Sequence, residues 1–296
     1  MILVFGNGQL GQDLVRASAA RQVPLIALER AQADISDPAA VRAAIAYHRP
    51  ALVVNAAAYT KVDLAESEAQ TAFRVNEGGA ANIGEACAGI PFIHISTDYV
   101  FDGAKRGPYL EDDPVAPLNV YGQSKAAGEQ AVRATSPRHV IIRSSWIFGE
   151  FGHNFLKTML RLAATRDELR VVADQHGSPT STRDLSAALL TIAPRLIAGE
   201  DVWGTYHFTS TGATTFHGFA SRIVAAQAPL TGRTPRVTAI TTAEFPTPAR
   251  RPANSMLECA KFERVFGFRG RPWTEETDAI TSALVTSQIG SAQHVA

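Results

Sequence analysis

The amino-acid sequence predicts an α/β protein with a doubly wound parallel sheet and a smaller C-terminal lobe. Five short stretches are apolar at consecutive positions, which is typical of strands buried on both faces of a sheet. Helical segments alternate with them, and this order predicts strand–helix–strand units with right-handed crossovers. The predicted strands are Met1–Phe5, Leu25–Leu28, Leu52–Val54, Phe92–Ile95 and Val140–Ile142.

The predicted helices have start signals or a helical pattern of apolar residues. In Ser36-Asp37-Pro38, a capping residue precedes a proline in the first turn. We predict further helices over Gln9–Arg21, Ala39–Tyr47, Phe155–Ala164, Leu185–Ile197 and Phe216–Ala226. The Pro- and Thr-rich stretch Thr242–Pro252 predicts a long functional loop, and the small polar residues Ser287–Ala296 predict a loose tail.

Composition excludes several classes of protein. The 28 basic and 28 acidic residues cancel, so no global positive field favours nucleic acid. Cys87 and Cys259 form no CxxC pair and are expected to be reduced thiols. The sequence shows no signal peptide and no apolar run near the ~20 residues of a membrane span. We therefore expect a cytoplasmic protein that binds neither nucleic acid nor membrane.

A glycine-rich turn follows the first predicted strand. Gly6-Asn7-Gly8-Gln9-Leu10-Gly11 is a GxGxxG pattern between a buried strand and a helix. In that context Gly6 permits the tight turn, Gly8 lets a pyrophosphate approach, and Gly11 allows close helix–strand packing. The phosphates would meet the free N–H groups of a helix N-terminus. The turn therefore predicts a Rossmann-type dinucleotide site, with residues 1–150 as the NAD(P)-binding domain. Residues 151–296 are then mainly a substrate-binding lobe, some of whose segments return to the first domain.

Two residues at the end of the second strand bear on the choice between NADH and NADPH. Glu29, 18 positions after Gly11, could accept a hydrogen bond from the ribose 2′-hydroxyl of NADH. Arg30 could pair with the 2′-phosphate of NADPH. The sequence leaves both cofactors open.

A proton donor for reduction is predicted at Tyr121. Tyr121 and Lys125 are four positions apart, so they share one face of a helix. The ammonium is expected to lower the phenol pKa from its usual ~10. Thr97, just after the strand Phe92–Ser96, could hold a substrate carbonyl with its hydroxyl.

Several segments in order resemble those of the extended short-chain dehydrogenase/reductases, and together those of the dTDP-4-dehydrorhamnose reductase family. The segments are Asn55–Thr60, Ser96–Gly103, Tyr121–Lys125, Arg143–Trp146, Asn154–Leu160, Asp174–Thr180 and Arg250–Ser255. The resemblance covers the chain to about residue 280 and implies NADPH- or NADH-dependent reduction of dTDP-4-dehydro-L-rhamnose at its 4-keto group.

The resemblance also implies roles for individual residues. Tyr121 would be the proton donor, and Lys125 would contact the nicotinamide ribose. Thr97, Asp98, Tyr99, Trp146 and Asn154 would face the sugar nucleotide. Residues implied at the cofactor are Gly8, Gln9, Leu10, Glu29, Asp34, Ile35, Ala56, Ala57 and Ala58. Arg250 or Arg251, in a loop stiffened by prolines, would bind the substrate diphosphate.

Three alternatives to a reductase are a dehydratase, an epimerase and a non-catalytic regulatory subunit. A dehydratase of the superfamily carries Thr-Asp-Glu, whereas Tyr99 follows Thr97-Asp98 here. An epimerase would retain its NAD through turnover. A non-catalytic regulatory subunit would not need Thr97, Tyr121 and Lys125. A homodimer is compatible with any of these assignments.

No metal ligand set is predicted from the sequence. The eight histidines form no HxH or HExxH motif, which argues against zinc. The acidic runs Glu111-Asp112-Asp113 and Glu200-Asp201 could hold a hard cation, but solvated loop charge is the simpler interpretation. Mg²⁺ therefore stays unassigned.

Overall fold

A parallel sheet of six strands forms the centre of the computed structural model, which describes the backbone of residues 1–293 and the side chains of residues 1–287. Its strands are β1 (Ile2–Phe5), β2 (Leu25–Leu28), β3 (Leu52–Asn55), β4 (Phe92–Thr97), β5 (His139–Ser144) and β10 (Gly204–His207). They lie in the order β10-β5-β4-β3-β1-β2, and each neighbouring pair is parallel. The chain order reverses at β1 and β3, and ligands of such sheets bind at this switch point, beyond the carboxyl ends of the strands.

Helices cover both faces of the sheet. They are α1 (Gln9–Ala20), α2 (Pro38–His48), α3 (Val62–Ala65), α4 (Ala69–Phe73), α5 (Gly79–Cys87), α6 (Val120–Thr135), α7 (Phe155–Ala163), α8 (Thr182–Ile197), α9 (Phe216–Thr231), α10 (Ala260–Phe266) and α11 (Trp273–Gln293). Ile2 and Val4 of β1 pack in one apolar core, and Leu3 and Phe5 pack in another. Successive side chains of a strand point to opposite faces, which explains why β1 is apolar at every position.

A second layer follows in the C-terminal half. Its short strands are β6 (Ile147–Phe148), β7 (Glu168–Val172), β8 (His176–Gly177), β9 (Thr180–Ser181), β11 (Thr214–Thr215) and β12 (Arg236–Ile240). They form the pairs β6–β9, β7–β12 and β8–β11. The helices α7, α9 and α11 share an apolar core with β7, and this core supports the lobe that faces the switch point.

The predicted fold class is confirmed, and all five predicted strands are present. Strand β10 was missed because Gly204-Thr205-Tyr206-His207 is short, partly polar and at the sheet edge. The loose tail is wrong for residues 287–293, which continue α11, and residues 294–296 lie outside the described part. No helix in residues 1–293 is long and apolar enough to cross a membrane.

Candidate active site

A cavity of about 780 Å³ opens at the carboxyl ends of β1 and β3. Nearly all the predicted cofactor residues line it: Gly6, Gly8, Gln9, Leu10, Glu29, Arg30, Asp34, Ile35, Ala56, Ala57, Ala58, Tyr121 and Lys125. Gly11 lies behind this surface. The volume and the position at the switch point suit an extended ligand such as a dinucleotide.

Two glycines shape the phosphate-binding turn. Gly6 has a φ of +104°, and a Cβ there would lie 2.6 Å from Ala57 N. A Cβ at Gly11 would lie 2.1 Å from the carbonyl oxygen of Gly6, so α1 packs against the turn only when this residue has no side chain. A Cβ at Gly8, by contrast, would meet nothing within 4 Å. The turn is therefore tight against the protein and open toward the cavity, as a phosphate cradle requires.

The loop after β3 is held by two buried asparagines. Asn55 Oδ1 accepts from Ala57 N at 3.1 Å. Asn76 Oδ1 accepts from Tyr59 N at 2.8 Å, and Asn76 Nδ2 donates to Tyr59 O and to Ser124 Oγ. Asn76 belongs to a π-helical turn between α4 and α5, a feature that often occurs at functional sites. Sequence reasoning missed it, because a π turn has no pattern of its own.

At the end of β2, the two residues relevant to cofactor choice are both exposed. Glu29 Oε1 accepts from Asn7 Nδ2 at 3.4 Å, and Arg30 Nε donates to Asp34 Oδ2 at 2.9 Å. The Asn7 contact is long and leaves the Glu29 carboxylate able to accept from a ligand. Asn7 Oδ1 is buried without a partner among the described residues, so this turn has unused hydrogen-bonding capacity.

Of the predicted catalytic residues, Tyr121 and Lys125 line the cavity, and Thr97 lies beside Tyr121. Thr97 ends β4, and Tyr121 is in the first turn of α6, capped by Asn119. Burial raises the pKa of Tyr121 to about 12, although the Thr97 hydroxyl hydrogen-bonds the phenol and opposes this. The phenol is therefore fully protonated at neutral pH and available as a donor.

The expected effect of Lys125 on Tyr121 is wrong for this structure. Lys125 Nζ donates to Ile95 O at 2.7 Å, and its charge is not among the causes that shift the Tyr121 pKa. Burial lowers the pKa of Lys125 itself to about 8, partly offset by Glu129. The lysine lines the cavity, but it does not turn the phenol into a phenolate.

Asp98 and Tyr99 both lie close to the Tyr121 phenol. Asp98 is 2% exposed, and its Oδ2 has no partner among the described residues. Burial raises the Asp98 pKa to about 7; the nearby Ser255 hydroxyl and the Thr97 hydroxyl, which donates to Asp98 Oδ1 at 3.0 Å, oppose this rise. The Tyr99 ring meets the Tyr121 ring edge-on at 5.9 Å between centroids. This packing fixes the plane of the Tyr121 ring.

Trp146 has a strained backbone, with a φ of +45°. Its indole stacks on Phe216 at 3.7 Å between centroids and lies over Gly177, where a Cβ would be 2.6 Å from the ring. A bulky residue in the left-handed region costs about 1–3 kcal/mol and is typical of functional sites. Asn154, predicted at the substrate, caps α7 and donates to Gln9 Oε1 at 3.3 Å.

The two neighbouring arginines differ in their contacts. Arg251 forms a forked pair with Asp63, its Nη1 and Nη2 lying 2.9 and 2.8 Å from the two carboxylate oxygens. The exposed side chain of Arg250 has no ion pair or hydrogen bond within residues 1–287, and its carbonyl accepts from Asn119 Nδ2 at 2.8 Å. Arg251 therefore ties the loop to α3, and Arg250 keeps its guanidinium available for a ligand.

Three of the five residues in the acidic runs already have partners. Asp113 pairs with Lys105, Glu200 pairs with Arg195, and Glu111 Oε1 accepts from His207 N at 3.0 Å. Over the described side chains, no group of three His, Cys, Asp or Glu residues is arranged to hold a metal ion. The structure thus assigns no residues to the Mg²⁺ that the sequence left open.

Comparisons with known proteins identify the family of the chain. The model of the RmlD substrate binding domain matches residues 1–286. A dTDP-4-dehydrorhamnose reductase from Sinorhizobium fredii is 46% identical over 283 residues, 94% of this chain and 95% of that protein.

Solved structures give the same result. The structure of a dTDP-4-dehydrorhamnose reductase from Clostridium acetobutylicum has a TM-score of 0.89 and 38% identity, covering 96% of this chain and 99% of that one. The enzyme from Bacillus anthracis, in complex with NADP, has a TM-score of 0.85 and 36% identity, covering 94% and 97%. The chain therefore belongs to the dTDP-4-dehydrorhamnose reductase family.

Proposed function

We propose that this chain reduces the 4-keto group of dTDP-4-dehydro-L-rhamnose to give dTDP-L-rhamnose, an activity of nucleotide-sugar biosynthesis. The observation that carries the proposal is that the protonated Tyr121 phenol, next to the Thr97 hydroxyl, lines the same dinucleotide-sized cavity as Lys125. The family membership supports the same reaction.

NADPH or NADH would occupy the cavity and, when bound, supply the hydride. The cavity fits such a group, since the glycine-rich turn lines it and leaves open space at Gly8. Gly8 and Gln9 would hold its pyrophosphate at the start of α1, and Lys125 would donate to its ribose hydroxyls. Among the side chains of residues 1–287, no set of residues supports a metal-dependent step.

Each catalytic side chain then has one task. Tyr121 donates its proton to the C4 oxygen as negative charge develops there. The Thr97 hydroxyl, which donates to Asp98 Oδ1 at 3.0 Å without substrate, would turn to the C4 oxygen and orient it with a hydrogen bond. Asp98 Oδ2, which lacks a partner, accepts from a sugar hydroxyl. Trp146 packs against the sugar ring. The nucleotide sugar is the only partner this account requires, and a homodimer stays a prediction.

Cofactor oxidation with a panel of 4-keto nucleotide sugars tests the proposal. We expect stoichiometric consumption of NADPH or NADH with the dTDP-4-keto sugar and a product reduced at C4. Turnover without net cofactor consumption would instead support an epimerase. A lack of turnover with every sugar, while cofactor still binds, would support a non-catalytic subunit.

Substitutions at the end of β2 are expected to change the KM values for NADH and NADPH to different extents. Glu29→Ala removes an acceptor for the ribose 2′-hydroxyl, so the KM for NADH should rise more than the KM for NADPH. Arg30→Ala should have the opposite bias if its guanidinium leaves Asp34 for a 2′-phosphate. Steady-state kinetics with both cofactors measure this. Equal changes for the two would mean that this end of β2 does not contact the ribose.

Arg250 is expected to bind the substrate diphosphate. Loss of its charge-assisted hydrogen bonds in Arg250→Ala should cost about 1.5–3 kcal/mol, which raises the KM for the sugar nucleotide by roughly 10- to 150-fold. The KM for the cofactor should change little. Arg250→Lys should restore only part of the affinity for the sugar nucleotide, since a compact ammonium cannot replace the paired N–H donors of a guanidinium.

Arg236→Ala is the matched control, because Arg236 is an exposed arginine of β12 that pairs with Glu168. Arg251→Ala should act differently and loosen the loop by breaking the Asp63 pair. Normal substrate KM values in both the Arg250 and the Arg251 variants would rule out this loop as the diphosphate site.

A further inference from the structure

The Lys125 amine faces a buried histidine that the proposed reaction does not use. Lys125 Nζ lies 3.4 Å from His94 Nε2 and donates to Ile95 O at 2.7 Å. His94 is 1% exposed and Lys125 is 2% exposed. In such surroundings the hydrogens of the neighbouring groups decide which charge state of the lysine can be accommodated.

The hydrogen bonds of Asn55 determine the tautomer of His94. Asn55 Oδ1 accepts from Ala57 N at 3.1 Å, which fixes the orientation of the amide. Asn55 Nδ2 therefore faces His94 Nδ1, at 3.2 Å. An amide nitrogen can only donate, so His94 Nδ1 accepts and carries no hydrogen.

The single ring hydrogen of His94 is then on Nε2. Burial, followed by the charge of Lys125, lowers the pKa of His94 well below its usual value, so the ring is neutral. A neutral imidazole carries one N–H. With Nδ1 occupied as an acceptor, the N–H points from Nε2 at Lys125 Nζ.

A histidine N–H that points at Lys125 Nζ interacts differently with the ammonium and with the neutral amine of the lysine. An ammonium has three N–H groups and no lone pair, whereas a neutral amine has a lone pair that can accept. We propose that His94, held in the Nε2–H tautomer by Asn55, is a positioning residue that directs Lys125 and favours its neutral amine. The inference deepens the proposed function and rests on it, since it concerns the lysine that would donate to the cofactor ribose.

Other charged groups around this pair act in both directions. Burial lowers the pKa of Lys125 to about 8, and Glu129, one turn later on α6, raises it. Glu129 is itself paired with Arg143 of β5 and with Arg133 of α6. The charges of Arg133 on α6 and of His139 on β5 also lower the pKa of His94. Lys125 thus lies between a carboxylate that favours its charge and a histidine N–H that opposes it, and it can change charge near neutral pH.

The tautomer can be observed directly in the intact protein. Ring ¹⁵N shifts of His94, identified by the signal missing in His94→Phe, should show a protonated Nε2 and a bare Nδ1 between about pH 5 and 9. A protonated Nδ1 would overturn the proposal, because Nε2 would then accept from the ammonium. This measurement needs neither substrate nor a variant that alters Asn55.

The effect on Lys125 can be tested by reversing the tautomer. Asn55→Asp keeps the acceptor for Ala57 N and places a carboxylate oxygen against Nδ1, so that the hydrogen moves to Nδ1 and Nε2 becomes an acceptor. The chain has five lysines, so ¹³Cε NMR can follow Lys125, assigned with Lys125→Met. Its titration midpoint should rise by about 1 pH unit or more.

The added charge of the aspartate needs its own control. In the double variant Asn55→Asp/His94→Phe the carboxylate remains but the imidazole is gone, and His94→Phe alone is its reference. We expect the rise caused by Asn55→Asp to be clearly larger when His94 is present. An equal rise with and without His94 would overturn the proposal, because charge alone would explain it.

Activity provides a second readout that is separable from the first. With a 4-keto nucleotide sugar, the alkaline decline of kcat should shift to higher pH in Asn55→Asp. If no such sugar is turned over, the proposed function fails, while the NMR titrations still decide the role of His94. If Asn55→Asp does not fold, the tautomer in the unaltered protein decides alone.

Discussion

Replacement of Tyr121 by Phe is expected to lower kcat by about 10²–10⁴, the usual contribution of a positioned general acid. The phenol lines the cavity beside Thr97 and is held in its protonated form by burial. Phe keeps the ring that packs against Tyr99, so only the donor is lost. The KM of the sugar nucleotide should therefore change little, and steady-state kinetics measure the split.

Tyr206→Phe is the matched control for that variant. Tyr206 is also a buried phenol, but it lies on β10 and donates to Val202 O at 2.9 Å, away from the cavity. Its variant should keep nearly normal turnover. If Tyr121→Phe retained comparable turnover, Tyr121 would not be the proton donor.

The second large effect concerns stability and the buried pair Glu129–Arg143. Arg143 Nε and Nη2 lie 2.8 and 2.7 Å from the two Glu129 oxygens, and both side chains are at most 2% exposed. Glu129→Ala leaves an uncompensated buried guanidinium, which should lower the free energy of unfolding by about 3–5 kcal/mol. Urea denaturation followed by circular dichroism measures the loss.

Arg133 provides a control on the same carboxylate. Arg133 also pairs with Glu129, but its side chain is 40% exposed, so Arg133→Ala should cost only about 0–1 kcal/mol. The double variant Glu129→Leu/Arg143→Met should be less destabilised than the sum of its single changes, since neither charge is left alone. A loss of under about 1 kcal/mol in Glu129→Ala would contradict this account.

The contribution of this pair depends on pH in a defined direction. Burial alone would raise the pKa of Glu129, but the hydrogen bonds and charge of Arg143 lower it overall. A lowered pKa in the folded state means that the stabilisation is complete above the ordinary value of 4.5 and is lost as the pH falls through the folded value. The stability difference between the unaltered protein and Glu129→Gln should therefore shrink in acid.

The parts of the site that depend on local pattern were predictable from the sequence. Gly6 and Gly11 must be glycine because the backbone of one segment approaches another, and a GxGxxG between strand and helix signals this approach. Tyr121 and Lys125 share a helix face by their spacing alone. Continuous apolar runs likewise predicted the strands, since both faces of the sheet are covered.

The parts that depend on distant contacts were not predictable. Arg250 and Arg251 look equivalent in sequence, and only the approach of Asp63, 188 positions before Arg251, separates their roles. The raised pKa of Tyr121 follows from burial, which its spacing to Lys125 does not reveal. The tautomer of His94 depends on an amide contributed by another strand.

Deuterium transfer to the sugar tests the central claim most directly. The enzyme would be given reduced cofactor carrying deuterium at both C4 positions of the nicotinamide, together with the dTDP-4-keto sugar in ordinary water, and the product would be analysed by NMR. This account predicts one deuterium at C4 of the product sugar, with the new hydroxyl proton taken from solvent through Tyr121. Deuterium at another carbon, or a product without deuterium, would contradict it.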